Sequence, residues 1–95
     1  MAAYVIVDIE ITDPEPYKEY VRIVPPSLEA YGGRFVARGG RAESLEGEWE
    51  PRRIVVVEFD SLERAKEWWA SEEYAEAKAL RQSASNANMI VVEGV

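Results

Sequence analysis

The sequence predicts an α+β domain in which strands and helices follow the order β-α-β-β-α-β. Three observations carry this reading. A β-branched run, Arg53-Ile54-Val55-Val56-Val57-Glu58-Phe59, reads as a buried strand, and a shorter run, Arg34-Phe35-Val36-Ala37-Arg38, precedes it across a polar, Gly-containing connection. Segments with apolar residues at helical spacing flank that pair, from Tyr17 to Tyr31 and from Leu62 to Arg81. Two more strand-like runs stand near the ends of the chain, Tyr4 to Ile11 and Met89 to Glu93.

In the first strand Val5, Val7, Ile9 and Ile11 share a wholly apolar face, while Tyr4, Ile6, Asp8 and Glu10 share one that grades into polar groups. Thr12-Asp13-Pro14 then signals a helix start: Asp13 can cap, and Pro14 and Pro16 lie in the first turn, where no N–H is missed. Tyr17, Tyr20, Val24, Leu28 and Tyr31 recur at helical spacing. Pro25-Pro26 predicts a kink or break near Arg22 to Val24; because the periodicity resumes in phase, a kinked single helix is favoured over two. Gly32 follows as a left-handed cap.

The connection from Gly39 to Arg52 exceeds the usual hairpin loop of about 2–5 residues, and longer loops are more often functional. Asp60-Ser61-Leu62-Glu63 resembles a capping box, and Leu62, Ala65 and Trp68/Trp69 form an apolar stripe. Ser71-Glu72-Glu73 reads as a second cap, continued by Tyr74, Ala77 and Leu80/Arg81; Asn86 to Asn88 leads into the last strand. Right-handed crossovers interleave the two halves into one four-stranded antiparallel sheet with helices on one face. This is the ferredoxin-like plait, a single domain over residues 1–95.

Composition narrows the function. The chain has neither Cys nor His, which removes thiol chemistry, thiolate or imidazole metal ligation and any imidazole base. A net charge of -7 argues against nucleic acid and against an anionic membrane surface. No apolar run approaches the roughly 20 residues of a membrane span, and MAAYVIVDIEI reads as a strand and not as a secretory signal. Cytoplasm is the default compartment. A small ligand or a protein partner remains.

In a two-layer plait one sheet face is uncovered. Here both faces of the strands are apolar, with Val55 and Val57 set against Ile54 and Val56, and Val91 against Ile90 and Val92. The exposed side would leave several hundred Å² of apolar surface wet. A second copy laid sheet to sheet covers it, so the chain is expected to form a homodimer whose sheets together make a barrel.

The segments Asp13-Pro14 with Tyr17 and Tyr20, Tyr31-Gly32-Gly33, Arg38-Gly39-Gly40, Leu45-Glu46-Gly47 with Trp49 and Pro51, and Glu58-Phe59 resemble a bacterial family known as domain of unknown function 1330. Trp68, Ser71 with Tyr74, Arg81 and Val92-Glu93-Gly94 extend the likeness over nearly the whole chain. The resemblance implies a dimeric α/β-barrel. That superfamily includes cofactor-free monooxygenases, haem-degrading enzymes, and muconolactone isomerase-like and chlorite dismutase-like proteins, which place their ligands between sheet and helices. The missing His separates this chain from relatives that hold haem by one.

Each candidate site residue has a structural reading beside the functional one. Arg38, alternating with Arg34 and Val36, reads as an anion anchor for a carboxylate or enolate, or as the partner of Glu58. Arg81 joins it around an acidic ligand or lies along the helix surface. Ser71 and Tyr74 offer hydroxyls, with capping and core packing as alternatives; Tyr74 is also a candidate general acid. Trp68 and Trp69 point about 100° apart on a helix, and Trp68, continuing the Leu62–Ala65 stripe, is expected to wall the pocket. Tyr20 and Tyr31 face the same choice between pocket and core. Glu58, the one acid near the end of its apolar strand, is the best base candidate.

Asp8 and Glu10 share a strand face but lack further placed ligands, so no metal site is expected. The Gly39-Gly40 and Gly32-Gly33 pairs lack phosphate-loop spacing. The function expected is a small acidic metabolite, carboxylate or enol, held between sheet and helices, with or without cofactor-independent turnover and with no cofactor. The alternatives are a non-catalytic dimeric interaction or sensor module and a structural protein whose apolar sheet face docks another chain.

Overall fold

Strict alternation in β1 (Ala3–Ile11) buries Ala3, Val5, Val7 and Ile9 and leaves the residues between them half-buried. This pattern sets the plane of the molecule. The computed structural model describes residues 1–95, and after β1 come α1 (Pro14–Glu29), β2 (Arg34–Arg38), β3 (Arg53–Phe59), α2 (Leu62–Trp69), α3 (Glu72–Ala84) and β4 (Ser85–Glu93). The sheet order is β2-β3-β1-β4 with every neighbouring pair antiparallel, a ferredoxin-like α+β fold. Val5, Val7, Val55, Val57 and Phe59 meet Tyr17, Val24 and Leu28 of α1, Ala65 and Trp68 of α2 and Tyr74 and Ala77 of α3 in one core. No helix is long and apolar enough to cross a membrane.

α1 is a single helix through Pro25-Pro26, as its in-phase periodicity predicts. Pro25 has no N–H to donate to the Val21 carbonyl one turn back. That oxygen is claimed from outside the helix: Nη2 of Arg38 donates to it at 2.8 Å. A β-bulge lets Arg38 reach it. Phe35 pairs with Val57 but Ala37 with Val56, so Val36 is the extra residue and the alternation of β2 slips by one. Arg38 therefore aligns with Val55 on the helix side, its guanidinium 4.2 Å over the Phe35 ring, and not on the face of Arg34 and Val36 as simple alternation predicts.

β2 is followed by Gly39, whose φ of 70° suits glycine, and a Cβ there would collide with the Arg53 guanidinium. The connection that follows has no regular structure but is tied to β1: Trp49 Nε1 donates to Asp8 Oδ2 at 2.7 Å and the Arg52 N–H to Asp8 Oδ1 at 3.0 Å. Glu10 pairs with the Arg52 guanidinium at 3.1 Å and accepts from Asn86. Asp8 and Glu10 thus anchor the connection across the open sheet face.

The second helical region is two helices. Ser61 caps α2 by accepting from the Arg64 N–H at 3.1 Å; this puts Arg64, not Glu63, at the third helical position and corrects the expected capping box to a single cap. Ser71 caps α3 by accepting from the Tyr74 N–H at 3.2 Å. Asp13 occupies the cap position of α1 without a side-chain cap bond. β4 begins at Ser85, directly after α3 and earlier than the Met89 expected. The length of β1 supplies partners as far as Ile11↔Ser85, and pairing overrides the low strand preference of the two Asn residues.

Candidate functional site

The face of the sheet that carries the helices is not fully covered along β4. There α2, α3 and β4 enclose a cleft of about 750 Å³, within the range of ligand sites. Val5, Ala65, Ala87, Met89 and Val91 give it an apolar floor and walls, and Trp69 is its one aromatic side chain. The polar contributors are Lys66, Arg81, Gln82, Ser85 and Asn86. The chain holds 18 acidic residues and a net charge of -7, yet no carboxylate lines this cleft and two cations do.

Arg81 is the central group. It is 5% exposed and enters no salt bridge; its one side-chain hydrogen bond within the protein runs from Nε to the Tyr74 hydroxyl at 3.2 Å. No buried side-chain nitrogen or oxygen is left without a partner, so the guanidinium nitrogens beyond Nε keep access to open space. The helix places this side chain by local geometry. Tyr74, Ala77, Arg81 and Ala84 fall on the buried stripe of α3, and Ser85 Oγ donates back to the Arg81 carbonyl at 2.5 Å, fixing the turn into β4. Burial, reinforced by the neighbouring Tyr74 hydroxyl, holds the Tyr20 phenol above the ordinary tyrosine range. The lining of this pocket is neutral or positive.

The other residues singled out in the sequence lie elsewhere. Trp68 is 2% exposed, stacked on Tyr74 with ring centroids 4.0 Å apart and tilted against Phe59 at 5.4 Å. Its indole N–H donates to Ser27 Oγ at 3.1 Å, and Ser27 in turn donates to the Val24 carbonyl. Trp68 is a satisfied core residue; Trp69, at 45% exposure, is the one at the cleft. Ser71 spends its hydroxyl on the Trp68 carbonyl and on the α3 cap. Tyr20 is core.

Tyr31 lies outside the cleft, donating to Glu73 Oε1 at 2.9 Å, with Arg64 4.6 Å over its ring. Glu58 sits on the open sheet face, held bidentately by Arg34 through Nε at 3.2 Å and Nη2 at 3.0 Å. The sheet itself therefore separates it from the cleft, and Arg38 does not pair with it. Of the expected ligand-binding set, Arg81 alone lines the cleft. In the sequence Trp69 is weighed against Trp68 and passed over, and Lys66, Gln82, Ser85 and Asn86 are not among the candidates. Lys66 and Trp69 carry the one available signal, being three apart and so neighbours on one face of α2.

The open sheet face carries Tyr4, Ile6, Ile54 and Val56 half-buried, with Val36, Ile90 and Val92 more exposed. The Arg34–Glu58 pair and the Asp8 anchor of the connection border it.

Comparison with known proteins places the architecture. The chain is similar to a protein of unknown function from Rhodopseudomonas palustris (TM-score 0.79, 21% identity, covering 99% of this chain and 82% of that one). It is similar to a dimeric ferredoxin-like protein of unknown function from Jannaschia sp. CCS1 (TM-score 0.72, 11% identity, 99% and 100% covered). It also resembles SnoaB, a cofactor-independent oxygenase from Streptomyces nogalater (TM-score 0.60, 8% identity, 99% and 93% covered). At these identities the likeness is one of fold. Among curated proteins none matches. A family model matches residues 2–95, and the chain belongs to the family described as domain of unknown function DUF1330.

Proposed function

We propose that this protein binds a small anionic molecule in the cleft between α2, α3 and β4, with Arg81 as the anchor. One observation carries the reading: a guanidinium buried to 5% exposure, without a carboxylate partner, in a cleft lined by a second cation and no acid. Buried charges in proteins are paired, and an anion brought from solution supplies the missing partner with the bidentate geometry a guanidinium favours. The apolar floor excludes water and strengthens that pairing.

Binding without turnover is the reading the cleft supports best. No carboxylate lines it, the chain has no His, and the strongest base candidate, Glu58, lies across the sheet. The cofactor-independent oxygenase of similar fold shares 8% identity and lends no residue to the argument. A second copy covers the open sheet face, where the apolar residues gather; that a protein of similar fold is dimeric supports self-association.

The test is a melting-temperature screen of carboxylates, phosphates and their uncharged analogues against wild type and Arg81→Met. An anion at a hundredfold excess over its Kd stabilises by about 2.7 kcal/mol, a shift on the order of 10 °C for a domain of this size. The shift is expected in wild type and absent in the variant. Equal shifts in both proteins, or none with any anion, would refute the proposal.

A further inference from the structure

We propose that the cleft takes a planar aromatic acid, its acidic group on Arg81 and its ring against Trp69; this rests on the anion-binding reading above. Trp69 ends α2 and is the one aromatic residue of the lining, which is otherwise Val, Ala, Ile and Met on its apolar side. Although 45% exposed, it is held in place. Lys78 Nζ lies 3.9 Å from the indole centroid and donates to the Trp69 carbonyl at 2.9 Å. An exposed tryptophan pinned at the mouth of a cleft is a preorganised wall.

Lys78 itself does not line the cleft while Trp69 does, so the indole carries a cation at its ring and still borders the cavity. A cation on one face draws π density toward itself, and the opposite face becomes a better partner for an electron-rich ring. A ring conjugated to a carboxylate or phenolate is such a partner. Met89, also in the lining, adds a polarisable thioether suited to aromatic contact. Lys66, one turn before Trp69 on the same helix face, adds a second positive charge to the same cleft. A saturated acid of equal volume fills the floor and reaches Arg81 but gains only apolar contact, and no ring stacking, from this wall.

Isothermal titration of the purified protein with 2-naphthoate and with decahydro-2-naphthoate separates the two ideas, since both share skeleton and charge. Wild type is expected to bind the aromatic acid about two- to tenfold more tightly. In Trp69→Leu that ratio falls to about one, the aromatic acid losing more affinity than the saturated acid, and Lys78→Ala narrows the ratio. Trp69 is half-exposed at a helix end, so the leucine variant folds; its melting curve and oligomeric state are checked alongside. Equal binding of both acids in wild type, abolished in both cases by Arg81→Met, overturns the aromatic inference and leaves the anion site standing. A preference that survives in Trp69→Leu overturns it too. If neither acid binds, the aromatic inference falls, and the anion reading is decided by the carboxylate and phosphate screen. A Trp69→Leu protein that changes oligomeric state assigns this residue to a subunit contact and overturns the inference.

Discussion

Arg38 and Arg81 look alike in the sequence, as cations among apolar residues, yet the molecule treats them differently. Arg38 is exposed, and its guanidinium is committed to a backbone carbonyl that Pro25 has left without a donor. Arg81 is buried and gives one donor to a tyrosine, while the rest face a cleft without acids. A cation can serve a ligand only where the fold has not already claimed it. The claim is invisible in composition, because at Arg38 it is made by a missing N–H on a helix, far away in sequence.

The largest expected effect follows from that contrast. Arg81→Met should weaken binding of an anion by about a hundredfold or more, since two charge-assisted hydrogen bonds are lost, while Arg38→Met leaves affinity within about twofold. Titration of one anion against the three proteins measures both. Stability should move the opposite way. Replacing an unpaired buried cation by an apolar chain of similar length is expected to leave Arg81→Met at least as stable as wild type by urea unfolding.

Arg38→Met should instead lose about 1 kcal/mol with its carbonyl bond. Pro25→Ala returns an N–H to Val21, so in that background the cost of Arg38→Met should shrink by most of this amount. A double-mutant cycle reads the coupling directly, and additive effects would break the comparison.

The buried side of the comparison also has a pH signature. The Tyr20 phenol is held above its ordinary range by burial, so the folded state resists losing this proton. Its contribution to stability is present below the unfolded value of about 10 and is lost as pH rises from there toward the folded value. Tyr20→Phe should move the midpoint of alkaline unfolding to higher pH, read by far-ultraviolet circular dichroism.

The smallest effect belongs to the exposed Tyr31–Glu73 bond, which tethers the end of α1 to the start of α3. The Glu73 carboxyl is held below its ordinary range by its own backbone N–H and then by the Tyr31 hydroxyl. That contribution is present above the unfolded value of about 4.3 and is lost as pH falls through the folded one. Tyr31→Phe should flatten the acid limb of the stability curve slightly, within the range of surface pairs.

Much of the fold was legible because periodicity and stops agreed. Alternation in β1, the Val run of β3, the Ser61 and Ser71 caps and the in-phase return after Pro25-Pro26 all point to one architecture. The site was harder to read, for identifiable reasons. A bulge at Val36 inverts the direction of Arg38, and one extra residue leaves no trace in a five-residue strand. Trp68 and Trp69 were separable only by knowing that Ser27, far away in sequence, waits for the Trp68 N–H. Arg81 was readable from the helical stripe of α3, but its lack of a carboxylate partner depends on the whole surrounding surface.

The junction between α3 and β4 constrains how such a chain can vary in length. No residue separates the two elements, and the Ala84 carbonyl at their meeting point accepts from both Thr12 and Asp13 N–H groups. An insertion of one residue there would turn every side chain of the last strand to the opposite face, sending Met89 and Val91 into solvent and Ile90 inward. It would also part Ser85 from the Arg81 carbonyl. The segment from Gly40 to Glu50, exposed throughout, has room to lengthen or shorten without touching the cleft, so indels should gather there and spare the seam beside Ala84.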